Sequence, residues 1–149
     1  MTSAAPGTFF EDYAVGDFIR HSRGKTVTSF DGAFLAQLVL NTADGHFNDH
    51  VMRNTEVGRS VVFGGITLAL VVGLAMQDTG ENAVAELKLE SVRFRAPVVH
   101  GDTLYAYSRV VEKRDGLVVF DHWGVNQRDE VVVELRRHVR IASAGERNG

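Results

Sequence analysis

Cysteine is absent from the 149-residue sequence, and that one absence removes several kinds of chemistry. Disulfide staples, thiolate nucleophiles and cysteine-ligated zinc all need the missing side chain. Proline is nearly absent too, with 2 residues, and no low-complexity tract occurs, so long disordered segments are not expected. The 16 basic and 19 acidic residues leave a formal net charge of -3, which gives no general attraction to nucleic acid or to an anionic membrane surface. The opening residues, MTSAAPGTFF, have neither a basic start nor an apolar core. They do not read as a secretory leader, and a cytoplasmic location is the expectation.

Long hydrophobic runs are also missing. The longest apolar segment, VVFGGITLALVVGLAM from Val61 to Met76, includes three glycines and a threonine. It falls short of the roughly 20 residues that cross a bilayer, so no membrane span is expected. It reads instead as a helix that is apolar on nearly every side because it is buried on nearly every side, stopping near Gly80. The chain length suits one domain over residues 1–149, with a core at roughly 9–142 and a frayed tail at 143–149.

Around that helix the hydrophobic period changes twice. FFEDYAVGDFIR suggests a short extended entry with a turn at Gly16-Asp17. In TVTSFDGAFLAQLVLN, Thr28 and Asp31 resemble a capping box, and Phe30, Phe34 and Leu38 share one helical face, so a helix should end near Asn41. After the apolar helix, AVAELKLESVRFRAPV, DTLYAYSRVVEKR, LVVFDHWGVNQ and EVVVELRRHVRIA alternate apolar and polar residues as four strands of a meander. The expected class is α+β, a central buried helix wrapped by a curved antiparallel sheet.

The stretch NTADGHFNDH, Asn41 to His50, concentrates polar groups just beyond the first helix. Three readings compete for it. Asp44, His46, Asp49 and His50 offer metal ligands, but a loop fixes no ligand geometry. Asn and Asp side chains also bond their own backbone in ordinary polar turns. The third reading, acid/base chemistry, draws on Gly64 and Gly65 at the start of the apolar helix, where free backbone N–H groups can meet a carbonyl oxygen or oxyanion. A histidine together with such donors forms half of an acyl-thioester site.

On these residues the sequence resembles the MaoC-like (R)-specific enoyl-CoA hydratases and dehydratases of the hot-dog fold. That family's pattern is Asp-x-Asn-Pro-x-His, an acidic residue two positions on, then Gly-Arg-Pro ahead of a helix that begins His-Gly-Met. Without gaps, its Asp falls on Asn41, its His on His46, its Gly-Arg on Gly58-Arg59 and its oxyanion glycine on Gly64. APVVHGDTLYAYSRVVEKR is similar to the family's strand entry, and the resemblance runs from about Phe10 to Ile141. The departures are Asn41 for Asp, Ala43-Asp44 for Asn-Pro, Asn48 for the acidic residue and Phe63 for the histidine before the glycine.

The resemblance implies reversible hydration of a 2-enoyl-CoA of the fatty-acid type, with a branched or dicarboxylic acyl group among the candidates. His46 would be the acid/base, Asn41 would position the water, and Gly64, helped by Gly65, would polarise the thioester carbonyl. Phe63 and Asp44 would line the acyl group. Arg93 and Arg95 would meet CoA phosphates or form a solvated sheet face. No metal or redox cofactor is implied, since coenzyme A arrives as part of the substrate, and a homodimer is. The alternatives are a thioesterase using Asp44 or Asp49, and a non-catalytic acyl-CoA-binding subunit that partners an active paralogue. His21, His100, His122 and His138 read as surface or strand polar residues, Asp102 as a turn former and Trp123 as core.

Overall fold

The computed structural model describes residues 8–148. The entry is a short 3-10 turn, Phe10–Asp12, followed by strand β1, Phe18–Thr26. Helix α1 covers Ser29–Leu38, a 3-10 turn follows at Asp44–His46, and a single helical turn, α2, at Asp49–Met52. Helix α3 is Gly64–Thr79, and strands β2 to β5 are Ala83–Phe94, Thr103–Arg114, Leu117–Val125 and Val131–Ile141.

The capping box of α1 forms as its sequence suggests. The Asp31 N–H donates to Thr28 Oγ1 at 3.1 Å while the Thr28 N–H donates to Asp31 Oδ2 at 3.1 Å, which satisfies two amides that a helix start leaves free. The face carrying Phe30, Phe34 and Leu38 turns outward, and the rings of Phe30 and Phe34 stack at 5.3 Å. The small residues Gly32 and Ala36 are what α1 buries, because a Cβ on Gly32 would lie 2.5 Å from His100 Nε2.

The sheet is antiparallel, with the order β1-β3-β4-β5-β2. Two expectations are corrected here. Among the described residues there are five strands, and β2 does not neighbour β3: it closes the far edge beside β5, so the meander holds only for β3, β4 and β5. The extended entry expected before the first helix continues as β1 to Thr26, a length that its sequence conceals because burial in the strand is confined to Ile19 and His21.

Helix α3 lies across the sheet. Ile66, Val71 and Val62 pack with Leu104, Ala106, Val132 and Val133, and a buried valine such as Val71 contributes about 1.5–3 kcal/mol. The approach is close at Gly124, where a Cβ would lie 2.3 Å from Val71 Cγ2. The helix is not buried all round. Ile66, Thr67, Val71, Ala75 and Thr79 are buried, whereas Ala69, Gly73 and Gln77 are exposed. A second cluster, Tyr13, Ile19, Phe120, Val139 and Ile141, fills the other end of the sheet.

Between the clusters runs a buried polar chain. The His21 Nδ1–H donates to Asp78 Oδ2 at 2.6 Å, Ser108 Oγ donates to His21 Nε2 at 2.6 Å, and His122 Nδ1–H donates to Ser108 Oγ at 2.6 Å. His21 and His122 are therefore interior residues and not surface ones, because each hydrogen-bonds a partner that water would otherwise supply. Burial holds both imidazoles below the ordinary histidine range; Asp78 partly offsets this for His21, and the Arg137 charge adds to it for His122. The buried Arg137 guanidinium in turn meets the Glu86 carboxylate and Thr79 Oγ1. His138 remains at the surface paired with Glu90, at 2.6 Å.

Asp102 Oδ2 accepts from the Val99 N–H at 3.0 Å, so it does set the turn. Trp123 is not core: it stacks on Tyr107 at 5.7 Å and flanks Phe18 at 5.8 Å on the outer face of the sheet. Of the tail at 143–149, residues 144–148 form a 3-10 turn in which the Ala144 N–H donates to Glu11 Oε2 at 3.1 Å, and Gly149 lies outside the described residues.

Candidate active site

The polar loop takes its shape from the end of α1. Leu40 adopts a left-handed φ of 62°, which reverses the chain and lets the Asn41 N–H donate to Ala36 O at 2.8 Å. The Asn41 side chain is then fixed at both ends. Its Oδ1 accepts from the Ala43 N–H at 3.3 Å, so its amide N–H group points at His46 Nε2, also 3.3 Å away.

The other ring nitrogen settles the tautomer. His46 Nδ1 lies 2.9 Å from Val61 O, and a carbonyl can only accept, so Nδ1 carries the proton. Nε2 is left with a lone pair facing the Asn41 amide. Val61 is itself anchored by its N–H to Gly45 O at 2.9 Å and by a bridge to Val99. His46 is thus a half-buried neutral imidazole with a fixed ring and a basic Nε2.

The first turn of α3 lies alongside. The rings of His46 and Phe63 are 5.6 Å apart. Phe63 is the N-cap of α3 without a side-chain cap, and its carbonyl takes the amides of Ile66 and Thr67 at 2.9 and 3.1 Å. The amides of Gly64 and Gly65 have no acceptor within the helix, as the geometry of any helix start requires. At both positions a side chain would press on a neighbouring phenyl ring. A Cβ on Gly65 would lie 2.7 Å from Phe63 Cε1, and one on Gly64 would lie 3.0 Å from Phe94 Cζ.

The structure therefore brings together Asn41, His46, Phe63, Gly64 and Gly65. It does not bring Arg93 and Arg95 to them. Phe94 reaches Gly64 on the helix side of the sheet, so its neighbours in the strand point to the opposite face. There Arg95 pairs with Glu134 and Arg93 lines a shallow groove with Arg109 and Trp123. Asp44 is exposed at the start of its 3-10 turn, and Asp49 Oδ1 accepts the Ser60 N–H at 3.0 Å. Among the described residues, no three His, Asp or Glu side chains are grouped to hold a metal ion. Two participants went unread in the sequence. One is the Val61 carbonyl, which no side-chain pattern marks; the other is Phe94, whose approach to Gly64 follows a bulge between Glu90 and Arg93, where Ser91 has φ 54°.

A fixed imidazole lone pair beside unpartnered helix-start amides can remove a proton from a bound molecule while N–H donors meet the charge that develops on an oxygen.

The family model described as mesaconyl-CoA hydratase matches residues 3–143. Over 113 residues the chain is 34% identical to the beta-methylmalyl-CoA dehydratase of Chloroflexus aurantiacus, covering 76% of this chain and 32% of that protein. It is 33% identical over 129 residues to the mesaconyl-CoA hydratase of Haloarcula hispanica, covering 82% of this chain and 36% of that one. The solved structure of a MaoC domain protein from Chloroflexus aurantiacus matches with a TM-score of 0.86 at 31% identity, over 97% of this chain and 43% of that chain. The chain spans about a third of the length of the curated relatives it matches.

Proposed function

The chain belongs to the mesaconyl-CoA hydratase family of MaoC-like hot-dog proteins, and on that premise we propose that it reversibly adds water to a 2-enoyl-CoA with a branched or dicarboxylic acyl group. The observation that carries this reading is the fixed tautomer of His46, Nδ1–H on Val61 O and the Nε2 lone pair turned to the Asn41 amide, with the first turn of α3 alongside.

In the hydration direction a water enters between Asn41 and His46. His46 Nε2 takes its proton as the oxygen bonds to the β-carbon. The double-bond electrons move toward the thioester, whose carbonyl oxygen gains negative charge and is met by the Gly64 N–H, with Gly65 beside it. His46 then returns a proton to the α-carbon. An amide cannot accept a proton at neutral pH, so Asn41 orients the water and the whole proton cycle runs through His46. General acid/base catalysis of this kind is worth about 10² to 10⁴-fold, or roughly 3–5 kcal/mol of barrier. The chemistry calls for no metal or redox cofactor, and coenzyme A arrives with the substrate.

Thioester hydrolysis has less support. It needs a carboxylate free to activate water, whereas Asp49 is engaged with the Ser60 amide and Asp44 lies out in solvent. A second hot-dog unit is part of the reading. The free edge of β2 exposes Leu87 and Leu89, and between that strand and α3 a groove of about 640 Å³ is lined by Leu68, Val72 and Met76. A homodimer joined along this edge would cover it, and would also supply bulk that the longer relatives carry in one chain. Among the described residues no helix is long and apolar enough to cross a membrane, in keeping with a cytoplasmic enzyme.

The test is direct. Purified protein is incubated with crotonyl-CoA, with mesaconyl-CoA and with a saturated acyl-CoA, while enoyl absorbance and free thiol are followed together. Loss of enoyl absorbance without thiol release supports the proposal. Thiol release from the saturated thioester, or silence on all three, contradicts it.

A further inference from the structure

Phe94 is the large apolar side chain beside the candidate site for which the reaction so far has no use. It is 55% exposed at the end of β2, yet its ring tip leans on Gly64, with Cζ, Cε1 and Cε2 at 3.0, 3.1 and 3.3 Å from where a Cβ would be. Phe63 holds the other flank of the same helical turn, packed on Gly65 and next to His46. The two rings therefore pack against the two adjacent glycines whose amides are proposed to receive the thioester oxygen.

This arrangement divides the acyl head group. Resting on the proposed function, the carbons that gain the hydroxyl and the proton must face His46, and so lie on the Phe63 flank. The Phe94 flank is left to the thioester sulfur and to whatever substituent the α-carbon carries. Sulfur is common to every acyl-CoA and cannot discriminate among them. A methyl group on the α-carbon can, because a half-exposed phenyl ring gains contact and loses water when the methyl covers it. We propose that Phe94 is a specificity-determining residue whose ring forms the wall against which an α-methyl group packs, so that it sets the preference for methyl-branched over unbranched acyl groups.

One methyl in an apolar pocket changes preference by about tenfold or more. The experiment measures, by calorimetry, the affinities of wild type, Phe94→Leu and Phe94→Ala for two saturated dicarboxylic acyl-CoA molecules that differ by one methyl next to the thioester. The kcat/KM ratio for the corresponding enoyl-CoA pair is measured beside it. Wild type should prefer the methylated ligand, Phe94→Ala should lose about tenfold of that preference, and Phe94→Leu should fall between. Thermal melting of both variants should match wild type, since the ring is more exposed than buried. A preference unchanged in Phe94→Ala, or absent from wild type, overturns the proposal. Methyl-dependent binding by a protein that hydrates neither enoyl-CoA sinks the hydratase reading and leaves this assignment standing. A wild type that binds neither ligand refutes both.

Discussion

Replacing Asn41 by Asp puts a carboxylate where the amide now meets His46 Nε2 at 3.3 Å. At that separation an ion pair is worth about 1 kcal/mol in a water-like medium and about 5 kcal/mol at an effective dielectric near 20. Both residues are half-buried, so the true value lies between these limits, and the added carboxylate favours the protonated form of the imidazole. The sign follows from the role of Nε2. Hydration needs its lone pair, and a raised pKa keeps that nitrogen protonated to higher pH. The acid limb of kcat/KM against pH should therefore move upward. Above that limb crotonyl-CoA hydration should persist or rise, because the base is stronger. A dicarboxylic enoyl-CoA should be turned over more slowly at every pH, since a negative side chain then faces a negative acyl group. The assay is loss of enoyl absorbance for both substrates across the neutral range. An active variant whose acid limb has not moved would refute the contact between Asn41 and Nε2, and one faster on both substrates would refute the charge argument.

Other perturbations test separate links. Gly64→Val should lower kcat by about 10² to 10³-fold while the protein stays folded, because the added carbons displace the carbonyl oxygen and Phe94 can swing outward; normal turnover would exclude the helix-start site. Gly124→Ala brings a Cβ to 2.3 Å from Val71 and should cost about 1–3 kcal/mol in denaturant unfolding; the rate of the fraction still folded should match wild type, and an unchanged midpoint would contradict the packing. His21 and His122 titrate below their unfolded value when folded, so below about pH 6.5 the unfolded chain binds protons that the native state refuses. Stability should be full above that pH and fall beneath it by up to about 1.4 kcal/mol per pH unit for each proton, and replacing His122 with Phe should flatten the decline.

What the sequence disclosed and what it hid have physical causes. The α1 cap, the bounds of α3 and the four strands after it are written in local signals: Thr28 with Asp31, glycines at both ends of α3, and period-two alternation. Strand order is a matter of pairing at a distance, and nothing within β2 announces that its partner is β5 and not β3. The chain from Asp78 through His21 and Ser108 to His122 was likewise out of reach, since its members lie on three strands and a helix. For the candidate site, spacing marks Asn41, His46 and Gly64, and in the structure Asn41 meets His46, whose ring lies beside Phe63, the residue before Gly64. Arg93 and Arg95 were read to share a face, which they do, but the bulge at Ser91 decides which face, and a bulge leaves little trace in composition.

The central claim is that the His46 lone pair moves the proton in hydration of a branched or dicarboxylic enoyl-CoA. The most direct measurement is the hydration rate of mesaconyl-CoA by wild type and by His46→Ala, with near-ultraviolet circular dichroism on both to establish that the fold is kept. The account predicts turnover by wild type and a fall of at least about 10² to 10⁴-fold in a folded variant. A folded His46→Ala protein that hydrates mesaconyl-CoA at a rate close to wild type would contradict it.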